Sequence, residues 1–288
     1  LIRPAVRLED EHTYIVAVRH VADDAANLVP ASPAFAALRD GGKFPHPSIR
    51  ARRERYEAIF AALEAAGVER DSLQIAWDMS ISSQENQSGR MRHVRDTGLA
   101  ALGGQAPAFV IDAMSDNPQS GVARRIDGHV TVPLFLDTTA LGGEAILDAD
   151  GMPTQNGTAD FPFVVLITDN AVTGAVDPVI QFGHGLFGKA GDVVRSDFVS
   201  LANSMGAVAV SVDWLGLTFA DAAQIAFVVI SGALERFATV PDRGQQAMLN
   251  AMYALRMTTG ALPSHESTNI GGVPVFNPGA KYFVGNSL

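Results

Sequence analysis

Four short apolar runs in the second half of the chain do most to limit its fold: Phe163-Val164-Val165-Leu166-Ile167, Pro178-Val179-Ile180-Gln181-Phe182, Ala207-Val208-Ala209-Val210-Ser211-Val212 and Tyr282-Phe283-Val284. Most lack the alternation of a strand with one wet face, so they read as strands covered on both sides. Helical periodicities separate them. Val194, Phe198, Leu201 and Met205 mark one helix, and Met248, Met252 and Leu255 another. Strands alternating with helices are joined by right-handed crossovers, which predicts an α/β fold with a doubly wound, mostly parallel sheet.

The first half has a different texture. Thr13-Tyr14-Ile15-Val16-Ala17-Val18 is a strand by its β-branched and aromatic content, and Val21 to Pro30 follows with loop residues. From Ser48 to Ala66 the apolar set Tyr56, Ile59, Phe60 and Leu63 has helical spacing, with Gly67 placed to end the helix in a left-handed conformation. Leu73 to Met79 alternates as a strand, and Phe109-Val110-Ile111 and His129 to Leu136 are further extended segments. Loop chemistry from Asp148 to Asp160 marks a boundary. The reading gives a β module ending within 1–40, a β-rich region over 41–155 with a helix near 48–66, and an α/β region over 156–288.

Composition excludes several functions. A net charge of -10 opposes attraction to phosphate backbones, so nucleic acid is not an expected partner, and the only dense basic stretch is Arg50 to Arg55. With no cysteine there is no disulfide, thiolate metal site or cysteine nucleophile, so chemistry falls to Ser, His, Asp or Glu. No histidine spacing suits a metal, and no metal or cofactor is expected. The apolar stretch Ile225 to Ile230 is far shorter than the roughly 20 residues of a membrane span. The chain opens at Leu1 without a basic-then-apolar leader pattern, so any signal or lipid anchor is expected upstream.

Three strand ends carry candidate chemistry. Gly285-Asn286-Ser287-Leu288 follows the last apolar run, and a nucleophile elbow needs a small residue two positions before its serine, which Gly285 supplies. The same letters also suit an ordinary turn. Phe182-Gly183-His184-Gly185-Leu186-Phe187-Gly188 follows an earlier run, where a Gly-rich turn brings backbone NH groups close to a developing oxyanion. Gly183, Gly185 and Gly188 also match the G-x-G-x-x-G spacing of a dinucleotide loop, a weak signal with His and Phe between the glycines. Asp213-Trp214 ends a third run, and Asp213 reads either as a carboxylate at a ligand crevice or as a cap. His184 reads as an orienting residue of its turn rather than a general base, and His265 as a solvated loop residue.

In this order, the His-Gly turn, the Asp-Trp turn and the Gly-x-Ser strand end resemble the α/β-hydrolase superfamily over roughly Phe161 to Leu288. His184-Gly185-Leu186-Phe187-Gly188 is similar to the oxyanion turn of bacterial lipases. The resemblance implies Ser287 as nucleophile, the Leu186 and Leu288 NH groups as oxyanion donors, and His184, Gly185, Gly188 and Gly285 as the supporting turns. Leu8 with Thr13 to Val18 and Asp24 to Pro30 resembles the end of a bacterial immunoglobulin-like module. Ala76-Trp77-Asp78 leading to Ser82-Ser83 is similar to the N-terminal region of extracytoplasmic bacterial lipases of the virulence-factor-lipase type. The subgroup implies a secreted or lipid-anchored protein acting on small-molecule or lipid esters.

The superfamily places its acid and histidine after the serine. Both are therefore expected beyond Leu288, with the present polypeptide alone giving no triad-dependent turnover. The segment from Asp213 to Ser287 exceeds a single crossover helix, so Leu217 to Phe237 is expected either as a buried helix or as an apolar wall over an acyl site. The alternative to an esterase is a noncatalytic envelope or adhesion protein with a degenerate hydrolase-like domain. Oligomeric state is not legible.

Overall fold

In a computed structural model of the chain, residues 3–172, 177–274 and 276–287 are described. The chain divides into two compact units, Leu1–Gly89 and Arg90–Leu288.

In the first unit, strands β1 (Thr13–Arg19) and β2 (Leu73–Ser80) pair antiparallel, with Val16 opposite Trp77. Between them lie helices α1 (Pro33–Arg39), α2 (Pro47–Ala51) and α3 (Arg53–Ala65). Helix α1 starts where the Ser32 hydroxyl accepts the Phe35 NH and Pro33 fills a position whose NH would have no partner. The helix predicted near 48–66 is present in two pieces divided at Arg52. Its predicted face is the buried one: Ile59, Phe60 and Leu63 pack with Phe35 of α1 and with Leu73 and Ala76 of β2. Gly67, at φ 78°, turns the chain out of α3 as expected.

Helix α4 (Gln84–Ala100) runs across the division and has no counterpart in the sequence reading. The second unit is built on strands β3 (Phe109–Gln119), β4 (Val122–Pro133), β5 (Thr158–Thr168) and β6 (Asp177–Gly183), helix α5 (Ser196–Ser204), strand β7 (Val208–Val212), helices α6 (Asp221–Ser231) and α7 (Thr239–Thr259), a small hairpin of β8 (Asn269–Ile270) and β9 (Val273–Pro274), and strand β10 (Pro278–Gly285). Six strands form one sheet in the order β10-β6-β7-β5-β4-β3. It is a mixed sheet: β10, β6 and β7 run parallel, whereas β7, β5, β4 and β3 pair antiparallel. The expected parallel character is thus confined to three strands.

The expected boundaries at 40 and 155 do not coincide with this division. Strand β1 pairs with β2 across the first, and β4 pairs with β5 across the second. A ladder cannot be cut without orphaning its donors and acceptors, so these strands belong together.

Both faces of β5, β6 and β7 are covered, which explains their unbroken apolar runs, whereas Tyr282 and Phe283 of β10 are exposed, contrary to the expectation for that run. Val179, Val208, Val210 and Val212 face one core with Leu249, Tyr253, Ala254 and Met257 of α7. Ile180, Phe182 and Ala209, alternating with them, face the other with Phe198, Val199 and Ala202 of α5. The buried face of α7 differs from the predicted one, for Met248 is exposed. The buried side also carries Asp242, Arg243, Gln246 and Asn250. Three of them bond to the 133–145 segment: Gln246 accepts from the Phe135 NH and donates to the Pro133 carbonyl, Asp242 accepts from the Ala145 NH, and Arg243 donates to the Thr139 and Ala140 carbonyls, while Asn250 accepts from Gln246 Nε2. A polar stripe that bonds to loop backbone has no apolar periodicity to reveal it.

Candidate functional site

Parallel strands β6, β7 and β10 end at the same level, because Gly285 is in register with Gly183, and Phe182 with Ser211. The chain passes from β6 to β7 on one side, then returns through α6 and α7 to place β10 on the other side of β6. Strand order reverses there. In open α/β sheets such a reversal opens a crevice at the carboxyl ends of the strands, where ligands bind. The three segments singled out in the sequence emerge at this point: Gly183-His184-Gly185, Asp213-Trp214 and Gly285-Asn286-Ser287.

The elbow and the His-Gly turn lie against each other. The Asn286 NH donates to the Gly183 carbonyl at 2.9 Å, carrying the β10–β6 ladder one step past the strand. A Cβ on Gly185 would stand 2.7 Å from the Asn286 carbonyl oxygen and 3.2 Å from Ser287 Cβ, so only glycine permits this approach. Ser287 itself is exposed and has φ 71°. A non-glycine residue in the left-handed region costs on the order of 1–3 kcal/mol and is held there by its surroundings. Leu288 lies outside the described residues, so the second expected oxyanion donor is not placed.

His184 is 1% exposed and fully engaged. Its Nδ1–H donates to the Gly185 carbonyl at 2.8 Å, and its Nε2 accepts the Trp214 NH at 2.9 Å. The ring thereby ties the turn after β6 to the turn after β7. The Gly188 NH donates to the same Gly185 carbonyl, and the Phe187 NH to the Leu217 carbonyl at 2.6 Å. The Leu186 NH makes no hydrogen bond to the described residues. Gly188 is closely packed, since a Cβ there would meet Asp192 Oδ2 at 2.8 Å and His184 Cβ at 2.9 Å.

Asp213 is structural, though it does not cap the segment that follows it: its Oδ1 accepts the NH of the earlier Ala190 at 2.6 Å. It fixes the segment after the His-Gly turn and has no histidine partner among the described residues. Asp221, which the sequence did not single out, is the busiest carboxylate nearby. Its Oδ2 accepts from the Gly216 NH, the Thr218 NH and the Thr218 hydroxyl, and its Oδ1 accepts from Arg243 Nε at 2.9 Å in a buried pair. Arg243 also donates to the Thr139 and Ala140 carbonyls. The loop after β7 is thereby pinned to α7. His265 is part-buried rather than solvated: it packs edge-on to Phe109 at 5.3 Å and accepts the Ser267 NH.

The segment from Leu217 to Phe237 is not a core helix. Phe219, Phe227, Val229, Ile230, Leu234 and Phe237 are exposed, Ile230 at 86%, and of the apolar residues of α6 only Val228 is buried. A bridge between Gly188 and Thr218 joins the start of this apolar surface to the His-Gly turn, where Leu186 and Phe187 are also exposed. Beneath the elbow, a cleft of about 200 Å³ lies between α5 and β10, smaller than the roughly 300–1,000 Å³ of small-molecule pockets. Among the described residues no group of three or more His, Asp or Glu side chains converges to hold a metal ion, and no helix is long and apolar enough to cross a membrane.

No protein-family model matches the chain, and no curated protein sequence matches it. Among solved structures, the chain is similar to a protein described as an acetyl xylan esterase from Bacteroides fragilis, at 14% identity and a TM-score of 0.37, covering 68% of this chain and 46% of that one. It is similar to the rice cell wall degrading esterase LipA from Xanthomonas oryzae, at 15% identity and a TM-score of 0.29, covering 63% and 42%. A third is an acetyl xylan esterase from Paenibacillus sp. R4, at 15% identity and a TM-score of 0.24, covering 45% and 32%. The chain spans less than half the length of each.

Proposed function

We propose that the strand-end cluster belongs to a serine-dependent carboxylic ester hydrolase that works through an acyl-enzyme. The observation that carries this reading is the contact between Gly185 and Ser287: a strained, exposed serine stands beside a turn whose Leu186 NH is unspent. In the proposed reaction Ser287 Oγ attacks the ester carbonyl and gives its proton to a base. The Leu186 and Leu288 NH groups hold the oxyanion. Collapse expels the alcohol, which takes the proton from the base, and water then releases the acid from the serine by the same two steps.

The base is not His184. Both its nitrogens are engaged, and none of the described histidines bonds to Ser287. The superfamily resemblance assigns that role to an acid and a histidine later in the chain. The exposed Leu186 and Phe187 favour an ester with an apolar acyl part. The resemblance of the first half to extracytoplasmic lipases favours the cell envelope as its place of work.

The test is labelling of the full-length protein with a serine-reactive phosphonate. Wild type is expected to label at Ser287, and Ser287→Ala not at all. Equal labelling of the two would remove Ser287 from the mechanism and favour a noncatalytic envelope protein.

A further inference from the structure

The first unit contains a pocket of about 630 Å³ formed by the 41–45 loop with Arg50 and Arg53, and no carboxylate lines it. Four arginines elsewhere in this unit are matched to acids, Arg7 with Asp10, Arg39 with Asp40, Arg55 with Asp78 and Arg70 with Glu57. Glu57 is held by both terminal nitrogens of Arg70, which leaves it occupied. The side chains of Lys43 and Arg50, by contrast, have no ion pair or hydrogen bond among the described residues. Arg53 is held in place by donating through one Nη to the Gly42 carbonyl, at the lip of the same pocket. In a chain of net charge -10, three cations lining one pocket with no carboxylate in its wall, Glu57 being the nearby acid that feels Arg53, form a local reversal of the protein's field.

We infer that this pocket binds a phosphate monoester. Three positive charges exceed what one carboxylate would neutralise, whereas a monoester carries a charge of about -1.5 to -2 near neutral pH. Guanidinium groups meet its oxygens with paired, charge-assisted hydrogen bonds. The volume is more than a bare oxyanion fills and lies within the range of about 300–1,000 Å³ typical of small-molecule sites. Phe44 and Pro45 give the organic remainder an apolar surface. This site is independent of the proposed ester hydrolase.

The test is calorimetric titration of the intact chain at low ionic strength with phenyl phosphate, inorganic phosphate and benzoate. Phenyl phosphate is expected to bind saturably at one site, more tightly than either of the others. The double variant Lys43→Gln/Arg50→Gln is expected to weaken it by about tenfold or more through loss of two charge-assisted contacts. Both side chains are exposed, so its melting temperature is expected to match wild type. Arg53→Lys, which keeps the charge and loses the fork, should weaken binding to a lesser degree. Cosedimentation with phosphatidic acid vesicles, abolished in the double variant, would identify a lipid-borne monoester; its absence alongside phenyl phosphate binding would identify a soluble one. No saturable binding to wild type, or equal affinity in wild type and double variant, would overturn the inference.

Discussion

The Trp214 backbone NH donates to Nε2 of His184 at 2.9 Å, and the opposite nitrogen of that ring donates to the Gly185 carbonyl. A protonated imidazole could not accept the Trp214 bond, so the geometry requires the neutral ring in one tautomer. His184 is therefore a brace between two turns. His184→Ala is expected to leave the part-buried Trp214 backbone NH unpaired, lowering stability by about 1–3 kcal/mol in a urea titration and slowing phosphonate labelling of Ser287. A fast-labelling, fully stable variant would show that the turn holds without the ring.

Gly185→Ala tests the contact that brings turn and elbow together. Its new methyl would lie 2.7 Å from the Asn286 carbonyl oxygen, a backbone atom that cannot rotate away. We expect a stability loss of about 1–3 kcal/mol and loss of Ser287 labelling, because the turn must retreat. Gly67→Ala, where a Cβ meets nothing within 4 Å, provides a control. Its strain from a positive φ should affect stability alone.

Much of this was legible in the sequence, for identifiable reasons. Strands β5, β6 and β7 announce themselves because both faces are covered, so apolar residues run without a break, whereas the run Tyr282-Phe283-Val284 of β10 is largely exposed. The strand-end turns were legible through their glycines, whose backbone approach leaves no room for a side chain. Helix α4 was missed, since Gly89 and Gly98 interrupt its pattern and its composition is largely polar. Asp221 and the polar stripe of α7 were missed because their partners are backbone atoms and residues distant in the chain, such as Thr139 and Ala140 with Arg243.

The Asp221–Arg243 pair yields a third expectation. Removing one partner of a buried pair leaves an uncompensated charge and costs about 3–5 kcal/mol. Arg243→Ala should show a loss of that size by chemical denaturation, with proteolytic cuts appearing first in 216–221, the loop that the Asp221 carboxylate holds. A loss below about 1 kcal/mol, the value of an exposed pair, would mean that water reaches the site.

Asp177, at the start of β6, gives the pH test. Burial pushes its carboxyl above the usual carboxylate range, with the Asn277 NH opposing this in part. A folded-state pKa above the unfolded one means that the native state binds the proton more tightly. The associated stability is present below the unfolded value of about 3.9 and is lost as pH rises through the folded one. Asp177→Asn, which keeps an acceptor for the Asn277 NH, should therefore melt higher than wild type at pH 7. The gap should close as pH falls toward 4. A variant less stable than wild type at pH 7 would show that the carboxylate is favourable where it lies.

The return of β10 past β6, after both long helices, has a consequence for how this protein matures. Ser287 meets the His184 turn only once the most distant parallel pairing has closed, and such non-local contacts form slowly. A chain with every other element in place would still lack the juxtaposition that reactivity requires. If Ser287 reacts as proposed, its reactivity would then double as a clock for completed folding.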